Sequence, residues 1–295
     1  MNMYERIDLD VCRVDGTRII DLKDFPTDLP DQHAKKVLKD SVAADSARIA
    51  ELQETLHAQS SHALLLIFQA MDAAGKDSCI RHVLSGVNPQ GCQVTSFKAP
   101  SAEELGHDFL WRHAKAVPAR GMIGVHNRSH YEEVLVVKVH PAYLSAQRLP
   151  GIDPADLPGY FWEQRYASIR GFEAHLAGQG VTIMKFFLHM DKAAQKERFL
   201  ERIEDPKKNW KFSPGDVTER GFWDDYQKAY AQAIGATAAP HAPWFIVPAD
   251  DQWETRAIVG RLVREQLEAL DLRTPELDAR ATEAIAVARM RLRKE

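Results

Sequence analysis

The sequence predicts an α/β fold, a three-layer sandwich in which a mostly parallel five-stranded sheet is covered by helices on both faces. Three observations carry this. Short apolar or β-branched runs alternate with segments of helical period, an alternation that builds parallel sheets. The run Ala63 to Phe68 passes through a small-residue turn, Ala70 to Gly75, straight into a helical segment. Finally, 295 residues with 45% hydrophobic and 27% charged side chains suit one large soluble α/β domain or two small ones.

Taken in order, residues 1 to about 30 read as an irregular extension punctuated by Pro26 and Pro30. A helix is expected from Asp31 to about Gln59, with Val37, Leu38, Val42, Ile49 and Leu52 as its apolar positions. The first strand and its turn follow, and Ile80, Val83 and Leu84 mark the next helix. Cys92 to Phe97 alternates as a second strand, and Ser101 with Glu104 forms a capping box opening a helix to about Ala116. Met122 to Val125 is a third strand, and a helix from Glu132 to His140 stops at Pro141.

Beyond a proline-rich connection, a helix over Tyr160 to Ala177 leads into Val181 to Leu188, the most strongly β run of the chain. Asp191 caps a charged helix to about Ile203, and a lysine-rich loop and a helix from Thr218 to Gly235 follow. Pro243 to Val247 is the fifth strand, and two helices split near Thr274-Pro275 close the chain. The expected organisation is one domain. It has an N-terminal extension and helix (1–60), a core (61–190 and 236–273), a lid region (191–235) and a C-terminal helix (274–295).

Composition narrows the function. A net charge of -4 argues against a bulk polyanion binder such as a histone-like protein, so any anion site must be a local basic patch on an acidic body. MNMYERIDLD has no apolar signal-like core, and no apolar run approaches the roughly 20 residues of a membrane span. The three cysteines, Cys12, Cys79 and Cys92, lack metal spacing, and an odd count suits a reducing cytoplasm.

The chemistry is written around the first turn. Strand, tight turn, Gly75-Lys76 and helix are the layout of a phosphate-binding loop, in which backbone N–H groups and one lysine cradle anionic oxygens. Two positions depart from the common pattern: Ala70 replaces the first glycine, and Asp77 replaces the hydroxyl residue that holds magnesium. Asp72 inside the loop offers a hard oxygen ligand of the kind Mg²⁺ takes. A second cluster, His126 to Glu133, follows the third strand. There Asn127 stands where an acidic residue is usual, and Arg128 offers a planar fork for phosphate or for nearby Glu132 or Glu133. His130 and Tyr131 read as packing groups. The third cluster, Gln195 to Asp216, carries six basic and four acidic residues between Lys196 and Lys211. It suits either a solvated helix or a lid that closes over phosphate. All three clusters follow strands, so they should converge at one sheet edge.

The blocks AMDAAGKDSCIRHVLSGVNPQGCQVTSFKAPS, HNRSHYEEVLVVKVH, ERFLERIEDPKKNWKFSPGD and PWFIVPADDQWETR, in that order, resemble the family-2 polyphosphate kinases. The resemblance spans roughly residues 30 to 270. It implies a P-loop kinase-like fold with a helical lid. It also implies transfer of a terminal phosphate between inorganic polyphosphate and nucleoside mono- or diphosphates, with Mg²⁺ (or Mn²⁺) and no phosphoprotein intermediate. Carried over by residue, it makes Asp72, Lys76 and Arg128 catalytic. Ala73, Ala74, Gly75, Lys76, Asp77, Ser78, Lys98, Arg198, Arg202, Lys208 and Lys211 become phosphate-binding, with Trp210 and Asp216 beside the lid's basic residues. Asp72 and Asn127 are the candidate metal ligands, and the NRSHYE form resembles the subgroup that accepts both AMP and ADP. The implied partners are polyphosphate, nucleotides and further copies of the chain, as a homodimer or homotetramer, with no nucleic acid and no membrane. The competing readings are an ATP-dependent nucleoside or nucleotide kinase and a catalytically silent nucleotide or polyphosphate sensor.

Overall fold

The structure, a computed structural model, describes residues 9–29 and 33–295. Its strands are β1 (Arg13–Val14), β2 (Ala63–Ala70), β3 (Cys92–Ser96), β4 (Ile123–Asn127), β5 (Val181–His189) and β6 (Trp244–Pro248). They form one sheet in the order β1-β6-β5-β2-β4-β3, parallel throughout except for β1. The fold class holds, with six strands in place of five. The extra strand is a two-residue antiparallel edge piece in the segment expected to be irregular, where Arg13 pairs with Phe245 and Val14 with Trp244.

All eight residues of β2 are buried, because both faces of the sheet are covered. Alternate side chains go to opposite layers. Leu64, Leu66 and Phe68 join a core made with α1 (Lys35–Gln59), α2 (Lys76–Val83) and α10 (Gln252–Ala269). Ala63, Leu65 and Ile67 join the opposite core, made with α6 (Phe161–Gly178) and α9 (Trp223–Thr237). Truncating a buried leucine in either layer to alanine costs roughly 2–5 kcal/mol.

The remaining helices are α3 (Trp111–Ala114), α4 (Val136–Val139), α5 (Leu144–Gln147), α7 (Lys192–Glu204), α8 (Pro214–Glu219) and α11 (Ala279–Leu292). The start expected at Asp31 for the first helix lies outside the described residues. Three expected helices are broken. The capping box exists, with Ser101 N–H donating to Glu104 Oε2 at 2.6 Å and Glu104 N–H to Ser101 Oγ at 3.3 Å. It caps only a single 3₁₀ turn, Glu104–Gly106, because His107 is extended and Asp108 starts a new turn by accepting from Leu110 N–H. The expected helix 132–140 is a 3₁₀ turn, His130–Val134, followed by α4, with the break at Leu135. The expected helix 218–235 is α8, a 3₁₀ turn Arg220–Phe222 and α9.

β2 is flanked by β4 on one side and β5 on the other, so the chain order reverses at β2. Ligands bind outside the carboxyl ends of parallel strands at such a switch point. The loop after β2 stands at that place.

Candidate active site

The loop Ala70–Gly75 turns by placing Ala73 at φ 66° and Gly75 at φ 99°, both left-handed. A Cβ on Gly75 would meet nothing nearer than Arg198 Nη1 at 4.0 Å. Glycine is therefore required there by backbone angle, not by space. The turn feeds directly into α2, and Lys76 Nζ folds back to donate to the Ala70 carbonyl at 2.9 Å. Burial, together with the Arg128 charge, pulls the Lys76 pKa below the ordinary lysine value.

The end of β4 supplies the second wall. Arg128 is also left-handed, at φ 62°, and its N–H donates to the Phe68 carbonyl at 3.0 Å. Its guanidinium donates to Asp72 Oδ1 at 3.0 Å and reaches Glu132 Oε2 at 3.9 Å. Burial opposes the Arg128 charge, but Glu132 and Asp72 outweigh it and raise its pKa. Burial pushes the Glu132 carboxyl up. Asn127 donates to Asp77 Oδ1 at 2.6 Å, so its amide holds the loop aspartate.

The third wall is α7, capped by Asp191 as the sequence predicts. Gln195 Nε2 donates to the Asp72 carbonyl at 3.0 Å, and Arg198 Nη1 donates to the Ala73 carbonyl at 3.0 Å. Arg198 Nη2 also donates to the carbonyls of Ala249 and Asp250, beyond β6, at 2.6 and 2.9 Å. The first half of the expected lid is thus fastened to the loop. Further out, Arg202 faces Asp216 at 3.4 Å, and Lys208 pairs with Glu201.

These elements enclose an open cleft of about 680 Å³. It brings together Asp72, Ala73, Ala74, Gly75, Lys76, Asp77, Ser78, Lys98, Asn127, Arg128, Arg198, Arg202 and Lys208, as the sequence predicts. The Lys211 side chain lies outside the described residues. His130 and Tyr131 are buried away from the cleft, in keeping with a packing role. Sequence reasoning missed Arg81 and Arg256, which also line the cleft; Arg256 donates to Ser78 Oγ at 2.8 Å. The signal was available, since Asp251 caps α10 just beyond the fifth strand, which points the first turn of that helix at the same sheet edge. On the other side of the Asp72–Arg128 pair lies a cavity of about 40 Å³, reaching Glu132, Asp216, Arg220 and Tyr230. It is large enough only for a water or two.

Comparison with known proteins matches this arrangement. The sequence profile described as Polyphosphate kinase 2 (PPK2) matches residues 32–275. An ADP-polyphosphate phosphotransferase of Rhodopseudomonas palustris is 50% identical over 265 residues, covering 90% of this chain and 91% of that one. An AMP/ADP-polyphosphate phosphotransferase of Meiothermus ruber is 42% identical, covering 86% of this chain and 89% of its own. The crystal structure of polyphosphate kinase 2 from Arthrobacter aurescens TC1 superposes with a TM-score of 0.84 at 41% identity, over 95% of this chain and 96% of that one. With the loop, the strand-end arginine and α7 inside the matched span, the chain belongs to the polyphosphate kinase 2 family.

Proposed function

We propose that this protein transfers the terminal phosphate between inorganic polyphosphate and nucleoside mono- or diphosphates. The observation that carries the reading is the cleft itself. An acidic body gathers Lys76, Lys98, Arg198, Arg202 and Arg256 around a phosphate-binding turn. Such a cleft suits a polyanion that carries about one charge per unit and needs that charge offset along its length.

Each residue then has a physical task. The loop N–H groups and Lys76 hold the phosphate being transferred, and Arg128 spans its equatorial oxygens with a planar fork. Lys98 and the arginines of α7 hold the units behind it, which keeps donor and acceptor in line. No protein nucleophile is required, because positioning and charge stabilisation supply most of the catalysis.

Magnesium fits the donor set. Among the described residues no three acidic, histidine or cysteine side chains converge on one point. Mg²⁺ is commonly bound by one or two carboxylates plus substrate phosphates. Asp72 and Asp77 supply those carboxylates on the cleft wall, and Asn127 would act by orienting Asp77. When bound, the ion would neutralise charge on the phosphates. The setting we propose is a reducing cytoplasm and a homodimer or homotetramer. Cys79 and Cys92 are free thiols, and no helix of the described residues is long and apolar enough to cross a membrane.

The test is phosphoryl transfer from polyphosphate to AMP and, separately, to ADP, with Mg²⁺ and an ATP-donor control. Product from both acceptors is expected. Transfer from ATP alone would replace this reading with that of an ordinary nucleotide kinase.

A further inference from the structure

Lys185 lies within β5, fully buried, while Ile183 and Phe187 on the same face belong to an apolar core. Its Nζ donates to Glu173 Oε2 at 2.7 Å, to the Tyr131 hydroxyl at 3.0 Å and to the Thr237 carbonyl at 2.9 Å. The Tyr131 hydroxyl donates to Glu173 Oε1 at 2.8 Å and lies 2.9 Å from Thr237 Oγ1. One buried charge pair thus joins β5, α6, the end of α9 and the turn His130–Val134.

Stability does not account for the pair. Burying an ammonium and a carboxylate carries a heavy desolvation cost, and apolar residues of similar volume often serve stability equally well or better. What the pair has and a leucine lacks is direction, since it fixes the Tyr131 hydroxyl at one point. Tyr131 stands three residues after Arg128 and next to Glu132. Arg128 holds a left-handed backbone, which strains a non-glycine residue and persists only where the surroundings impose it. Immediately before the turn, Ser129 Oγ accepts from the Tyr131 N–H at 3.2 Å. The strained arginine and the anchored tyrosine are therefore one short, tied piece of chain.

We propose that the Lys185–Glu173 pair, acting through Tyr131, is a positioning device that holds Arg128 and Glu132 in register with the phosphate-binding loop. This rests on the phosphotransferase reading of that site.

The test is the double variant Lys185→Met/Glu173→Leu, alone and combined with Arg128→Lys. Thermal stability is expected to stay level or rise, because two buried charges are removed together. Turnover is expected to fall about 10-fold or more, with KM for polyphosphate little changed, since a misplaced catalytic group loses rate before it loses binding. Adding Arg128→Lys should then cost much less than it does in the wild type, because both changes disable one group. Turnover within about 2-fold of wild type, or losses that multiply, would overturn the proposal. Amide hydrogen exchange over residues 128–134 is a readout that needs no activity. It should quicken about 10-fold in the variant, and unchanged protection there also overturns the proposal. A wild type that transfers no phosphate would sink the functional reading while the exchange result still judges the positioning. If the double variant fails to fold, Tyr131→Phe takes its place in the same comparisons.

Discussion

Asp72, in the loop after β2, and Arg128, just past the end of β4, meet at 3.0 Å and separate the larger cleft from the small cavity behind it. The pair is half-exposed, with 42% of the Arg128 side chain and 32% of the Asp72 side chain open. It is therefore reachable by ligand and contributes little to stability. Substitutions here should read out in catalysis.

Arg128→Lys keeps the charge and discards the planar fork. Turnover should fall about 10²-fold with the unfolding midpoint nearly unchanged, since a point charge cannot span two oxygens. Steady-state kinetics beside a thermal melt checks this, and a near-normal rate would remove Arg128 from the mechanism.

Lys76→Ala deletes the loop cation along with its bond to the Ala70 carbonyl. The expected loss is about 10²- to 10³-fold in turnover, the scale of removing a preorganised charge from a transferring group. The structural cost should be about 1 kcal/mol, for one hydrogen bond. Unfolding rather than inactivity would show that the lysine is a structural cap.

Asn127→Asp would set a carboxylate where an amide now donates to Asp77 Oδ1 at 2.6 Å. Two adjacent carboxylates repel unless a cation lies between them. The variant should need several-fold less Mg²⁺ for half-maximal activity, and an unchanged Mg²⁺ titration would separate this pair from metal binding.

Glu254, near the start of α10, is pushed up to about 7, by burial first and by Asp28 and Asp251 after that. A carboxyl raised in the fold binds its proton more tightly folded than unfolded. Its contribution is therefore full below the unfolded value of 4.5 and is lost as pH rises through about 7. Glu254→Gln should thus gain stability over wild type between pH 5 and pH 8, by a few degrees in the melting midpoint at about 2–4 °C per kcal/mol. Parallel melts at the two pH values decide it.

Much of this was legible in local sequence, and what was not has a common cause. The eight-residue run of β2, the Asp191 cap and the Gly75-Lys76 turn are local signals that the fold obeys. β1 was invisible, because two residues make a strand only by pairing with β6, more than 200 positions on. The helix expected after Ser101 failed at Gly106 and Asp108, where a side-chain turn outcompeted a helix with too little apolar surface to bury. Within the site, the loop and the strand-end arginine could be read, whereas Arg256 needed the knowledge that α10 begins at the same sheet edge. Lys185 hid inside an apolar strand because its partner sits on a helix twelve residues earlier.

The fastening of α7 to the loop has a consequence for traffic through the site. Gln195 and Arg198 bind the carbonyls of Asp72 and Ala73, so α7 cannot swing away without deforming the turn after β2. The segment between Asp205 and Trp223 has fastenings of its own, Glu219 to His140 at 2.9 Å and to the Tyr226 hydroxyl at 2.7 Å among them. Asp216 and Arg220, which wall the small cavity, reach the rest through the Arg202 pair and through Arg220 bonds to Lys192 and Gln195. Outward movement of that distal piece would break the Arg220 bond to Gln195, the same side chain that holds the Asp72 carbonyl. The molecule is built like a vice whose two jaws share one pin, so a change on the Arg220 side is felt at the turn through Gln195.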